Sequence, residues 1–169
     1  MRFSRSGVQT ALAVAFVSVC LPLAASAQDG VGVWRQDELA RRDGALATTI
    51  GADGSSRETL ADYGDHRFRF LRRASDGRPE QHDQIVDVVI VHSGRGTLLV
   101  GGRMVNPTGN AATGEYLGTA IEGGRRYDLG PGDVVHIPAG LPHSFLVPEG
   151  EHLTYVLVKF PAAEEPAQP

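Results

Sequence analysis

From residue 57 onward the chain alternates. In HRFRFLRR, His66, Phe68 and Phe70 share one phase and Arg67 and Arg69 the other, the period-two pattern of a strand with one buried face. The run IVDVVIVH at 85–92 is dense in branched residues and reads as a second strand, closed by the turn SGRG. TLLVGGRMV (97–105), RRYDL (125–129), VVHI (134–137), HSFLV (143–147) and HLTYVLVKF (152–160) complete the set, and the polar, glycine-rich stretch 106–124 reads as a long loop or weak hairpin. Many short strands between Gly and Pro turns predict an all-β sandwich or barrel. Upstream, Val33, Trp34, Leu39, Leu46 and Ile50 fall at loosely helical spacing. Asp37 and Glu38 lie early and Arg41 and Arg42 later, as the helix dipole favours. One short helix is expected there, weakened by Gly44 and followed by the loop GADGSS (51–56).

The N-terminus follows a different logic. Arg2 and Arg5 precede an apolar run from Ala11 to Ala25, and Ala25-Ser26-Ala27 supplies a small-residue cleavage pattern. Together they predict a secretory signal peptide over residues 1–27, because an apolar run of about 15 residues interrupted by Pro22 is short for a membrane span. The expected organisation is a signal peptide (1–27), a helical segment and loop (28–56), a barrel (57–160) and a disordered tail (161–169). The expected location is periplasmic or secreted. Cleavage removes Cys20, the only cysteine, so the mature protein has neither a disulfide nor a thiolate metal site. The formal charge of -4 becomes -6 once Arg2 and Arg5 are gone. This balance shows no basic footprint for nucleic acid, and no membrane contact is expected after signal removal.

The chemistry concentrates in GPGDVVHIPAGLPHSF (130–145), where a strand ends in Pro-x-Gly-x-Pro with His143 directly after it. Proline fixes its own φ, so such a corner places an imidazole with little conformational freedom to lose. The spacing Gly132-x5-Pro138-x-Gly140-x2-His143 resembles the second motif of the cupin family, and EQHDQIVDVVIVHSGRGTLLVGG (80–102) resembles the first. The resemblance covers roughly residues 60–160, small single-domain members in particular. It implies a double-stranded β-helix, or jelly-roll barrel, with a short N-terminal helix added here. It also implies a divalent metal, Fe, Mn, Ni or Zn, held by Glu80, His82, Asp87 and His143. The pattern departs from the family at three points: Glu80-Gln81-His82 replaces His-x-His, Asp87 replaces Glu, and Val147 occupies the usual Asn position. A register shifted by one would put Gln81 and Asp83 in place of Glu80 and His82.

Positions 80 and 82 share one face of an extended strand, whereas 82 and 87 do so only if the chain turns between them. A carboxylate inside VDVVIV demands a partner, metal or arginine. Two imidazoles with one or two carboxylates suit Mn(II), Fe(II), Ni(II) or Zn(II), and imidazoles at their reference pKa predict metal loss below about pH 6. His136, in phase with Val134, is the candidate catalytic acid or base should it face the interior; Asp87 and His66, the latter in phase with Phe68 and Phe70, are further possible proton shuttles. His92 is expected to face outward, His152 only starts a strand, and Tyr127 and Tyr155 read as packing aromatics. The functional expectation is an exported metal-dependent enzyme of dioxygenase, isomerase or lyase type acting on a small molecule. The alternative is a non-catalytic small-molecule or metal-binding barrel. A homodimer is implied by the resemblance.

Overall fold

Branched and aromatic residues in alternating phase fold here into thirteen strands behind one helix, in a computed structural model that describes residues 30–163. Helix α1 spans Gln36–Ala47. The strands are β1 (Ser55–Asp62), β2 (Arg67–Arg73), β3 (Glu80–His82), β4 (Ile85–Gly94), β5 (Gly96–Val100), β6 (Arg103–Val105) and β7 (Thr108–Asn110). They continue with β8 (Glu115–Leu117), β9 (Ala120–Glu122), β10 (Arg125–Leu129), β11 (Val134–Ile137), β12 (His143–Leu146) and β13 (Leu153–Pro161). One sheet has the order β1-β2-β13-β4-β11 and the other β10-β5-β12-β3-β8-β7, with β6-β9 a separate ribbon. The signal-peptide segment lies outside the described residues, as does the tail beyond residue 163. Among the described residues no helix is long and apolar enough to cross a membrane.

The inner faces of the two sheets share a core of Leu71, Val89, Val91, Leu98, Leu129, Ile137, Phe145, Leu153, Tyr155 and Leu157. Their positions fix the phase of every strand that carries a functional residue. On β13 the inward set is Leu153, Tyr155 and Leu157; on β4 it is Val89 and Val91. The opposite phase is also apolar, because α1 covers it. Leu39 and Leu46 of the helix pack with Phe70, Val156, Phe68 and Val158 on the outer face of the five-stranded sheet. Full burial of Phe70 there contributes about 2–3 kcal/mol.

A buried carboxylate pins the helix. Asp43 accepts from Arg72 Nη1 at 2.6 Å, Ser93 Oγ at 2.6 Å and Thr154 Oγ1 at 2.8 Å, bonds that join α1 to β2, β4 and β13. Burial alone would raise its pKa, but these three donors hold it below the usual carboxylate range. Asp43→Ala strands the Arg72 guanidinium and two hydroxyls. It is expected to destabilise the fold by roughly 3 kcal/mol, measured by urea unfolding, without altering metal binding.

Three stretches differ from the sequence expectation. Ser55 and Ser56, expected in the loop 51–56, begin β1, because they pair with Arg73 and Arg72 of β2. TLLVGGRMV breaks into β5 and β6 at Gly101 and Gly102, both at positive φ. The stretch 106–124, read as loop or weak hairpin, contains β7, β8 and β9, and β8 pairs with β3. Strands of three residues carry too little alternation to register as a period.

Candidate metal centre

Four side chains converge at one end of the core. Donor atoms of Glu80, His82, Asp87 and His143 all lie within 4.8 Å of one another. Strand pairing explains how. Glu80 and His82 stand two apart on β3 and share its inward face. Glu80 lies directly opposite His143, the first residue of β12. The chain then bends through Asp83 and Gln84 and crosses to the other sheet, so Asp87 on β4 faces the same point from across the core. That crossing resolves the odd separation between His82 and Asp87. It brings Glu80 and His82 rather than Gln81 and Asp83 to the cluster, and the latter two bond each other at 3.0 Å on the exposed side.

The proline corner is tied to β3 itself. Gly140 N–H donates to the His82 carbonyl at 2.7 Å, and Gly101 N–H donates to the Pro142 carbonyl at 2.8 Å. Gly140 sits at φ 80°, and a Cβ there would meet open space, so left-handed backbone rather than room is what calls for glycine. His143 is 2% exposed and Asp87 1%.

Each imidazole has one nitrogen held by the protein and the other aimed at the cluster. His143 Nδ1 donates to the Leu141 carbonyl at 3.0 Å, which leaves Nε2 buried without a hydrogen-bond partner. His82 Nδ1 lies 2.5 Å from Glu115 Oε2, which leaves its Nε2 facing inward. His143 Nε2 lies 3.6 Å from Glu80 Oε1 and 3.5 Å from Asp87 Oδ2, and His82 Nε2 lies 3.5 Å and 3.6 Å from the same two residues. These gaps exceed a hydrogen bond and suit donors that share one ion. The set therefore fits a divalent metal, with Glu115 as the outer carboxylate that orients one ligand. Glu115→Gln is expected to weaken metal affinity about 10–100-fold by isothermal titration, through loss of that orientation.

Charge within the cluster is mutually supporting. Burial would raise both carboxyls, but His143 and His82 hold Glu80 well below the usual range, and His143 and Lys159 hold Asp87 below it. Burial would lower His143, yet Asp87 and Glu80 outweigh it and push its pKa up to about 9.

Lys159 is the residue sequence reasoning missed. It pairs across strands with Asp87, and its Nζ lies 2.8 and 2.9 Å from the two Asp87 oxygens and 2.7 Å from His82 Nε2. The pattern calls for a metal or an arginine beside Asp87; the structure supplies a lysine. Two signals point to it: Lys159 is the only lysine in the chain, and it continues the inward phase of Leu153, Tyr155 and Leu157. Glu115 is hidden in the stretch that reads as loop.

His136 does not reach the cluster. The inward residues of β11 are Val135 and Ile137, while His136 points the other way with Val134 and is exposed. VVHI is apolar in both phases, so period alone could not tell which phase faced in. His92 faces outward as expected and meets Phe70 edge-on at 5.4 Å. His66 stacks on Tyr63 at 4.8 Å, apart from the cluster.

Two antiparallel sheets closed around a core, with a histidine–carboxylate cluster at one end, define a double-stranded β-helix with a metal-competent centre. A model of the cupin domain matches residues 111–159. The protein TT1209 from Thermus thermophilus shares the fold with a TM-score of 0.52 at 14% identity, over 76% of this chain and 96% of that one. A cupin 2 conserved barrel domain protein from Rhodopseudomonas palustris is 25% identical over 68% of this chain and 66% of that one, at a TM-score of 0.46. The chain thus spans just under two thirds of the length of that relative. A cupin-2 domain from Rhodospirillum rubrum is 20% identical with a TM-score of 0.47, over 69% and 66% of the two chains. No curated protein matches. Residues 111–159 of this barrel thus resemble the cupin domain.

Proposed function

We propose that this cupin-like barrel is an exported metal-dependent enzyme that acts on a small molecule, of dioxygenase, isomerase or lyase type. The observation that carries the metal is the buried, unpartnered Nε2 of His143, with its Nδ1 committed to a backbone carbonyl. A buried polar nitrogen without a hydrogen-bond partner is costly, and here it points at two carboxylates and a second imidazole, the surroundings of a cation. Glu80, His82, Asp87 and His143 would hold the ion, which supplies a Lewis acid and a template for an oxygen-bearing ligand. His82, Asp87 and His143 alone form a two-histidine, one-carboxylate set that leaves positions open. Ile137, opposite Asp87, and Phe145, edge-on to His143, wall the deep side with apolar surface and exclude water from it.

The ligand's approach is from the other side. Glu115 and Lys159, which both touch His82, line a cavity of about 320 Å³ with Asp62, His66 and Arg69, a volume suited to a small molecule. A cavity of about 430 Å³ lies on the opposite face of β3 beside Gln81 and Asp83, and shares no residue with the cluster.

The test has two stages. Mature protein secreted by a host that cleaves after Ala27 is assayed for bound metal, with an intact mass beginning at Gln28 expected. Co(II)- or Fe(II)-loaded protein is then exposed to azide or nitric oxide. A perturbed ligand-field spectrum supports an open catalytic position. An unperturbed spectrum with tightly held metal assigns the non-catalytic binding role. Protein without metal affinity overturns both. The same reading includes a homodimer, for which analytical ultracentrifugation is the measurement.

A further inference from the structure

Building on the metal-site reading above, we propose that the Lys159 ammonium is a tethered cation that occupies the Asp87–His82 half of the cluster in the metal-free protein and is exchanged out of it when a divalent ion binds. An ammonium has three donors, and all three are used here: two on Asp87, at 2.8 and 2.9 Å, and one on His82 Nε2, at 2.7 Å. His82 Nδ1 is committed to Glu115, so Nε2 offers a single lone pair. That lone pair serves Lys159 or a metal, never both.

The ammonium does not complete the site. Its ion pair is with Asp87 alone among the described residues, and His143 Nε2 on the far side stays buried without a partner. A permanent substitute for metal would be expected to satisfy all four donors. This one serves two residues and leaves the Glu80–His143 half to a different cation. The side chain also has somewhere to go. Lys159 is 23% exposed and borders the 320 Å³ cavity, where the Asp62 and Glu115 carboxylates can receive a displaced ammonium. The residue type fits: the chain uses arginine at every other basic position, and a compact charge on a flexible four-carbon stem retracts where a planar guanidinium fork would not.

A single lysine makes the test direct. Wild-type mature protein is treated with acetic anhydride with and without saturating Zn(II), and acetylation of Lys159 is read by peptide mass spectrometry against the N-terminal amine. Zn(II) is expected to raise Lys159 labelling at least about tenfold, and unchanged or reduced labelling overturns the exchange. In parallel, Zn(II) is titrated into wild type and Lys159→Met by calorimetry. Removal of the competitor is expected to lower Kd about tenfold or more, and equal or weaker affinity also overturns it. If only Lys159→Met binds Zn(II), the lysine is a permanent stand-in and the exchange is wrong while the donor set stands. If neither binds, the metal-site reading falls and the exchange falls with it. The labelling arm uses unmodified protein, so it holds even if the variant folds poorly.

Discussion

His143→Ala and His82→Ala are each expected to release bound metal and to abolish the metal-dependent part of the melting temperature. An ion held at about 100 times its Kd adds about 2.7 kcal/mol to the folded state. In a domain of this size that corresponds to about 8 °C. Loss of a ligand should exceed the 10–100-fold expected for the outer carboxylate, so micromolar metal no longer binds. The double variant should lose no more than either single one, because both act through one ion. His92→Ala and His136→Ala, on outward faces, should keep both metal and the thermal increment. Metal content by inductively coupled plasma mass spectrometry and paired melts with and without chelator check each outcome. A wild type that melts identically with chelator and with Mn(II), Fe(II), Ni(II) and Zn(II) would reduce the Pro138–His143 corner to a turn.

The metal-free protein should lose stability as pH rises through the neutral range. Asp87 and Glu80 raise the His143 pKa in the fold to about 9 from an ordinary 6.5. A group raised on folding stabilises fully below its unfolded pKa and loses that contribution as pH climbs through the folded value. The window is therefore about pH 6.5 to 9, and the amount is on the order of 3 kcal/mol. Urea midpoints of chelated protein across that range measure it, and His143→Ala should flatten the curve. Metal competes for the same nitrogen, so affinity should still be rising at pH 8. This corrects the window of about pH 6 expected from unperturbed imidazoles, since the two carboxylates beside His143 hold its proton far longer.

Part of this was legible in the sequence where the spacing carried it. The proline corner and His143 follow from counted intervals, Glu80 and His82 were one of two registers those intervals allowed, and Asp87 stood out as a charge inside an apolar run. What failed did so for local reasons. His136 sits in VVHI, and a strand apolar in both phases does not announce which face is inner. The outer phases of β2 and β13 are apolar because α1 covers them, and no single-strand pattern reveals that cover. Glu115 lies on a three-residue strand whose only signal is its pairing with β3, a contact between residues 33 apart. Lys159 is visible as an inward-phased charge, but a lone lysine in a strand reads as composition until it is set against Asp87.

Strand β13 lies between β2 and β4 in the five-stranded sheet, although it is the last in sequence among the described strands. This order dictates when the protein can fold. A ribosome that has delivered everything up to residue 150 has released β2 and β4 with facing edges that cannot pair to each other across the missing strand. Asp87 at that stage has no lysine, and the inner sheet has lost Leu153, Tyr155 and Leu157. Closure must wait for the C-terminal segment, and such late, long-range pairing is slow and leaves hydrophobic edges open to aggregation meanwhile. A released chain truncated after residue 150 should be protease-sensitive, and one truncated after residue 163 should be resistant. Under the exported role proposed above, a keystone strand delivered late would delay folding until translation is nearly complete.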